Sequence, residues 1–197
     1  MDDNSRLLMP SVGFSRKRAD RDINPNRGHS LSLELRGASE ALGSTTSFAQ
    51  FLASARLIRP LGDGGRVLLR VAGGVTFKDA LRDLPPDVRF FAGGNESVRG
   101  FGYETLGPED DSGTVVGGSH LLTASIEYDR MLFGNFAWAV FADGGNAFDG
   151  TSIDPRYAAG LGLKWRSPIG PVRVYLAHPL NFSNRSVRLH ISIGPDL

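Results

Sequence analysis

The amino-acid sequence predicts an all-β fold of antiparallel strands, and three observations lead to this prediction. Apolar and polar residues alternate with period two in about nine separate stretches, each roughly ten residues long. Clusters of Gly, Pro, Asn and Asp, which form turns, separate many of these stretches. No stretch carries a convincing helical pattern. With 197 residues, the chain is long enough for one domain with a sizeable core.

Four strands are predicted in the N-terminal part of the chain. The first, over 9–17, is weak, because only Val12 and Phe14 share an apolar face. The next three have longer apolar faces, formed by Leu31, Leu33 and Leu35 in 29–37, by Ala49, Phe51, Ala53, Ala55 and Leu57 in 46–59, and by Val67, Leu69, Val71, Val75 and Phe77 in 66–77. Turn clusters at 24–28 and 61–65 separate these strands.

Five further strands are predicted after a long connection. Their apolar faces are formed by Leu122, Ala124, Ile126 and Tyr128, by Phe136, Trp138, Val140 and Ala142, by Tyr157, Ala159, Leu161, Leu163 and Trp165, by Val172, Val174 and Leu176, and by Val187, Leu189, Ile191 and Ile193. A tight turn is predicted at 167–170, and the last strand is predicted over 186–193.

Two architectures fit these strands. The polar face carries more charge than a soluble core tolerates, and aromatic residues lie near strand ends on the apolar face, which is typical of a transmembrane β-barrel. In a soluble β-sandwich, the apolar faces would instead pack against each other. The pattern favours the barrel and leaves both open. The longest apolar run, 136–142, is too short for a membrane helix, so a bilayer would be crossed by a closed barrel.

The connection between the fourth and fifth strands, about 79–118, contains an unusual stretch over 89–103. It reads Arg-Phe-Phe-Ala-Gly-Gly-Asn-Glu-Ser-Val-Arg-Gly-Phe-Gly-Tyr, and it is rich in glycine and aromatic residues. Exposed loops are usually polar, so this loop is predicted to fold back into an enclosed space. Arg99 lies at its tip, and an unpaired buried charge is very costly. Arg99 therefore needs an acidic partner inside.

Strand parity identifies two candidate partners for Arg99. Residues two apart share a face, so Glu127 lies on the polar face with Thr123 and Ser125. Asp143 has the opposite parity to Trp138, so it also points inward. A guanidinium fork can bridge two carboxylates on neighbouring strands through charge-assisted hydrogen bonds.

The loop also carries a family resemblance. Residues 98–101, Val-Arg-Gly-Phe, resemble the VRGF/Y loop motif of the bacterial surface antigen (BamA/TamA) superfamily of outer-membrane assembly barrels, and 89–94 with Tyr103 are most similar to its TamA branch. Residues 141–145 are similar to the F-x-D-x-G motif whose acid holds the loop arginine, and Glu127 matches the glutamate of the preceding strand. The C-terminal segments 160–162, 167–171 and 193–195 are similar as well.

The resemblance implies a fold and a set of site residues. Residues 1–197 would be the C-terminal portion of an antiparallel transmembrane β-barrel, about nine strands of a sixteen-stranded barrel with a long inward-folded loop. The first strands and the periplasmic POTRA domains would lie outside this chain. The implied site consists of a loop lock (Arg99, Asp143, Glu127), loop-motif and packing residues (Val98, Gly100, Phe101, Phe141, Gly145) and a lateral-seam strand (Val187, Leu189, Ile191, Ile193).

By resemblance, the intact protein inserts or exports client proteins such as autotransporters. Its partners would be outer-membrane lipid, client β-barrel proteins and an inner-membrane partner reached through the POTRA domains, and no cofactor is implied. A transporter of two-partner secretion and a non-functional truncated barrel remain alternatives. Residues 1–10 have no basic region followed by an apolar core, so the chain is expected to be a fragment of a protein of the bacterial outer membrane.

Other function classes find little support. A formal net charge of +1 gives no reason to expect a nucleic-acid partner, and the absence of cysteine excludes thiolate metal sites. No histidine lies in a catalytic motif, and no serine lies in a G-x-S-x-G elbow. Asp20, Asp22 and Asn24 have the opening spacing of a calcium loop, but Pro25 and Leu31 replace its Gly and Glu. We therefore predict no catalytic residue and no metal site.

Overall fold

The computed structural model describes residues 6–78, 84–168, 170–181 and 186–197. These residues form one antiparallel sheet in which nine strands pair in chain order. The strands are β1 Ser11–Ala19, β2 Gly28–Ala38, β3 Phe48–Pro60, β4 Gly65–Phe77, β5 His120–Phe133, β6 Phe136–Phe148, β7 Arg156–Ser167, β8 Gly170–Pro179 and β9 Arg188–Ile193. The described helices are the short 3₁₀ turns Glu40–Leu42 and Pro86–Val88. Within the described ranges, no helix is long and apolar enough to span a membrane.

The sheet has one apolar face and one polar face, as the alternation predicts. Leu122 and Ile126 of β5 and Leu161 of β7 lie on the apolar face and are 47–64% exposed. Thr123, Glu127 and Asp129 of β5 point the other way and are buried. Apolar residues outside and charged residues inside are the reverse of a soluble core. Because the described strands form a single sheet, the β-sandwich alternative is wrong.

The last strand is shorter than predicted. It begins at Arg188 rather than at 186, so Val187 lies before the seam strand and not within it. The pairs that face each other across β8 and β9 include Tyr175 with His190 and Ala177 with Arg188. Two residues further, the partner on β8 would be Pro179, which has no N–H to donate. At that pair, β8 can accept a hydrogen bond but cannot donate one, which weakens the ladder at this end.

The long connection runs from 78 to 119 and folds over the polar face of the sheet; its residues 79–83 lie outside the described residues. Antiparallel bridges join Phe90 to Gly118 and Ala92 to Leu106, so the loop has backbone order of its own. Its apolar side chains form a buried cluster with β7, which consists of Ala92, Val98, Phe101, Leu106 and Ala158. The predicted inward-folded loop is confirmed.

The two outer strands, β1 and β9, do not pair with each other, so the described sheet is open. Nevertheless, the first and last strands of the sheet approach each other on the side of the turn between β7 and β8. Position 169 of that turn lies outside the described residues. Lys17 of β1 donates from Nζ to the Leu197 carbonyl oxygen at 2.9 Å. Asn24 donates from Nδ2 to the Ser167 carbonyl oxygen at 3.2 Å. These contacts show that the sheet is strongly curled and that its polar face lines the inside of the curve.

Candidate functional site

Arg99 contacts two carboxylates from β5 and β6. Its Nε and Nη2 donate to the two carboxylate oxygens of Asp143, each at 2.8 Å, and its backbone N–H donates to the same carboxylate at 2.9 Å. Nη1 donates to Glu127 Oε2, and Nη2 also donates to Ser125 Oγ at 3.1 Å. Arg99 is 3% exposed, so this fork–fork pair is shielded from water. We call Arg99, Glu127 and Asp143 the loop lock, as in the prediction.

The register of β5 and β6 explains why one guanidinium reaches both acids. Ser125 lies directly opposite Asp143, and Glu127 lies opposite Phe141. The two carboxylates are therefore diagonal neighbours on one face, a distance that a long side chain spans. A shift of the register by one residue would turn one strand's acid outward.

Two aromatic rings enclose the guanidinium. The Arg99 Cζ atom lies 3.5 Å from the centroid of the Phe141 ring and 4.6 Å from that of Tyr175. These rings contact each other edge to face, with centroids 5.4 Å apart. The Tyr175 hydroxyl donates to Glu127 Oε1 at 3.1 Å. The rings thus combine cation–π attraction with exclusion of water, which strengthens the ion pairs.

Glycines on β7 make room for these rings. A Cβ added to Gly162 would lie 2.1 Å from a ring carbon of Tyr175. A Cβ added to Gly160 would lie 2.2 Å from the Leu176 carbonyl oxygen and 2.6 Å from the Phe141 ring. Residues with side chains at these positions would push the rings away from Arg99.

We therefore expect Gly160→Ala to destabilise the folded protein by about 1–3 kcal/mol, because the neighbouring backbone must move. Samples are incubated at increasing temperatures and then run on gels without further heating. The measurement is the incubation temperature at which the compact, heat-modifiable form is lost. Gly13→Ala on β1 is the matched control, since its added Cβ would have one ordinary contact at 3.7 Å. Equal effects of the two substitutions would contradict this account of the β7 glycines.

The loop lock continues into a longer chain of buried charges. Lys164 of β7 contacts Glu127 and also Asp129, to whose Oδ2 it donates at 2.7 Å. Asp129 accepts from Arg66 of β4 at 2.9 Å. Arg66 donates to Asp196 at 2.7 Å, and Arg173 of β8 donates to the same carboxylate at 3.1 Å. The closest contacts link four cations, Arg99, Lys164, Arg66 and Arg173, with four carboxylates, Asp143, Glu127, Asp129 and Asp196. Arg166 adds a fifth cation, 3.6 Å from Asp129.

The charged states at the two ends of this chain follow from their surroundings. Burial acts to lower the pKa of Arg99, but Asp143 and Glu127 outweigh it and hold that pKa above its ordinary value. Burial acts to raise the pKa of Asp196, but Lys164, Arg66 and Arg173 hold it below the ordinary value. Both groups are therefore charged at neutral pH.

The predicted packing residues lie around the loop lock. Val98 is fully buried, and Phe101 packs with it in the cluster against β7. Gly100 has φ +94°, a backbone conformation that side chains disfavour, and an added Cβ would lie 3.0 Å from the Ala158 side chain. Gly145 has φ +144°, and an added Cβ would lie 2.2 Å from the Leu122 carbonyl oxygen. These two glycines allow close backbone approaches beside the lock.

The seam residues are not part of this cluster. The side chains of Leu189, Ile191 and Ile193 lie on the outward face and are 57–68% exposed. The structure instead adds residues that the sequence prediction missed, namely Tyr175, Lys164, Gly160 and Gly162. All four have the inward parity of their strands, so the alternation alone places them on the polar face. Their partners were not predictable, because Lys164 and Tyr175 reach across the curve to β5, a strand that is not their neighbour.

Comparison with known proteins decides the family. A family model described as the Omp85 superfamily domain matches residues 2–196. The chain belongs to the Omp85 superfamily. Relatives within it include the outer membrane protein assembly factor BamA of Nitratidesulfovibrio vulgaris, 25% identical over 178 residues, which cover 86% of this chain and 22% of that protein. The BamA of Neisseria meningitidis serogroup B is 26% identical over an alignment of 215 residues. That alignment covers 88% of this chain and 26% of that protein.

A solved BamA structure has the same fold. It is the crystal structure of BamA from Haemophilus ducreyi lacking POTRA domains 1–3, with a TM-score of 0.77 and 21% identity, covering 92% of this chain and 40% of that one. This chain spans about a quarter of the length of the curated relatives. The predicted superfamily and the outer-membrane location are confirmed, so the exposed apolar face is the one that meets lipid. The assignment to the TamA branch stays a prediction.

Proposed function

We propose that residues 1–197 are the C-terminal portion of an Omp85 barrel that assembles other outer-membrane proteins, with no covalent chemistry. The relatives named above are outer membrane protein assembly factors, which supports this role. The observation that carries the proposal is the loop lock, which holds the long loop to the inner wall beside the last strand, β9. The clients would be β-barrel proteins, and autotransporters are the finer proposal from the TamA-like sequence.

The direction of the backbone groups of β9 follows from one hydrogen bond. The Gly194 N–H donates to the Pro171 carbonyl of β8 at 3.2 Å, so even-numbered residues of β9 face β8. The N–H and C=O groups of Leu189, Ile191 and Ile193 consequently face the open edge. In lipid each unpaired group costs several kcal/mol, so this edge favours pairing with another strand. A client strand that pairs here would be held by β-augmentation.

The loop lock would keep the wall in shape while the edge is used. The loop tip contacts β5 and β6 through Arg99, and Glu96 forms ion pairs with Arg56 of β3 at 2.9 Å and with Arg70 of β4 at 3.4 Å. The loop therefore braces four consecutive strands from inside. We propose that this brace stops the curled sheet from flattening when β9 exchanges partners.

A substitution at the edge tests this function. Leu189→Pro removes one edge-facing N–H and leaves the bonds to β8 in place, whereas Leu189→Val keeps the N–H. In vesicles of outer-membrane lipid, we expect the proline variant to lose at least half of the assembly rate of a client β-barrel, and the valine variant to keep it. Heat-modifiable mobility checks that both variants fold. Equal assembly by two folded variants would contradict a role for the β9 edge.

A further inference from the structure

A chain of hydrogen bonds joins the loop motif to the open edge of β9. The Gly100 N–H donates to His190 Nε2 at 2.9 Å. His190 Nδ1 lies 2.6 Å from Asn95 Oδ1. Asn95 Nδ2 donates to the Ile191 carbonyl oxygen at 2.8 Å. We call Asn95 and His190, with the two backbone groups that they bond, the edge relay.

The proton positions in the edge relay are determined from both ends. A backbone N–H can only donate, so Nε2 of His190 must be the unprotonated, accepting nitrogen. The proton of a neutral His190 is then on Nδ1, which donates to Asn95 Oδ1. A backbone carbonyl can only accept, so the Asn95 amide must present Nδ2 to Ile191. Each hydrogen bond of the relay then runs from a donor to an acceptor.

The relay ends on a group that a neighbouring strand would otherwise use. The Ile191 carbonyl faces the open edge, because Ile191 has the parity opposite to Gly194, whose N–H faces β8. In a β-ladder, a carbonyl in this position accepts an N–H from the next strand. The Asn95 amide therefore occupies the place of the donor of an incoming strand.

The relay is also coupled to the loop lock through adjacent residues. The Arg99 N–H donates to Asp143, and the next N–H, that of Gly100, donates to His190. The backbone of these two residues is thus held by β6 on one side and by β9 on the other. Movement of His190 away from the loop would remove one of these two anchors.

There is room for Asn95 to move. An open groove of about 840 Å³ lies between the loop and β9, and its lining includes Phe91, Tyr103, Leu189 and Asn95 itself. Tyr103 is 79% exposed, so the loop side of the groove is open to solvent within the described sheet. An extended strand entering this groove would meet the β9 edge at the position that Asn95 covers.

We propose that Asn95 and His190 form a latch that covers the Ile191 carbonyl at rest and must release it before another strand pairs with this part of β9. Both are positioning residues: they touch no client, and they set how readily the edge becomes available. This inference rests on the proposed function, in which the β9 edge receives a client strand. It adds that the loop competes for the same carbonyl.

The histidine tautomer tests the relay without any client. With ¹⁵N-labelled histidine in the refolded chain, we expect His190 to carry its proton on Nδ1, a form that is uncommon for a free imidazole. His190→Gln identifies the resonance among the four histidines. An Nε2-protonated His190 in the unchanged protein would overturn the relay, whatever the outcome for client assembly.

Strand capture tests the latch. Leu189→Cys introduces the single thiol of the protein, since the chain has no cysteine. The probe is a peptide copy of residues 186–194 that also carries cysteine in place of Leu189. Asn95→Leu keeps the shape of the side chain and removes its hydrogen bonds. We expect it to raise the rate of disulfide capture about two- to tenfold, the equivalent of one hydrogen bond.

The matched control is Thr105→Val, which removes a hydrogen bond from the same loop, to the Gly102 carbonyl, outside the relay. We expect this variant to capture the probe at the original rate. A rate that is unchanged in Asn95→Leu, or raised equally in both variants, would overturn the latch. Because the probe is a peptide, this result is separate from that of the Leu189→Pro assembly experiment, so the latch and the assembly function can fail independently.

Discussion

Replacing Arg99 with alanine is expected to destabilise the folded barrel by about 3–5 kcal/mol, because Asp143 and Glu127 are left buried without their cation. The loop tip would then lose its attachment to β5 and β6, and we expect client assembly to fall with stability. The measurements are thermal loss of the heat-modifiable form and assembly of a client β-barrel in vesicles. The protein should remain detectable in the outer membrane.

Four further variants test this prediction. Arg56→Ala removes a partly exposed arginine that pairs with Glu96, itself more than half exposed, so it should cost less than about 1 kcal/mol. Arg99→Lys keeps the charge but not the planar fork between two rings, so we expect an intermediate loss. Asp143→Asn should resemble Arg99→Ala, and the double variant should be far from additive. Unchanged thermal stability and client assembly in Arg99→Ala would contradict the lock.

The second large effect is expected for Lys164→Met. This side chain has a similar length and no charge, so Glu127 and Asp129, neighbours on the inner face of β5, would lose their shared cation. We expect a loss of about 3–5 kcal/mol in the free energy of unfolding, the cost of removing one partner from a buried ion pair. This loss of stability is measured, as for Arg99→Ala, by the temperature at which incubated samples lose the heat-modifiable form.

Lys78→Met is the control for this change, because Lys78 is half-buried at the end of β4 and donates to Thr46. We expect its effect to stay within about 1 kcal/mol. Combining Lys164→Met with Glu127→Gln removes one charge of each sign. The pair should therefore be less destabilised than the sum of the two single variants. A strictly additive pair would show that Lys164 is not coupled to Glu127.

The sequence alone is sufficient to predict the strands and the face of each side chain, because a period of two is a local property of the chain. It also places Glu127 and Asp143 on the inner face near Arg99, and the structure has all three within hydrogen-bonding distance. The functional role of that cluster remains a prediction. Local periodicity does not describe curvature, and so it did not predict that Lys164 and Tyr175 cross the curve to reach β5.

The contacts of the loop tip were beyond prediction for a different reason. Asn95 and His190 meet only because an irregular loop path brings two polar residues together from distant parts of the chain. No period relates the two positions. The weak end of the β8–β9 ladder, in contrast, has a local contribution from Pro179, whose missing N–H is evident from the sequence.

The shortness of β9 has a consequence for how the protein opens. β9 has 6 residues, whereas β5 has 14, so the terminal strand contributes little to the cooperativity of the sheet. Such an element can unfold locally while the remainder stays folded. Side chains restrain it at both ends, through His190 near its start and Asp196 just beyond its end. We therefore expect β9 to open before the rest of the sheet, and polar side chains of the loop and the inner wall add to the restraint that its backbone ladder provides.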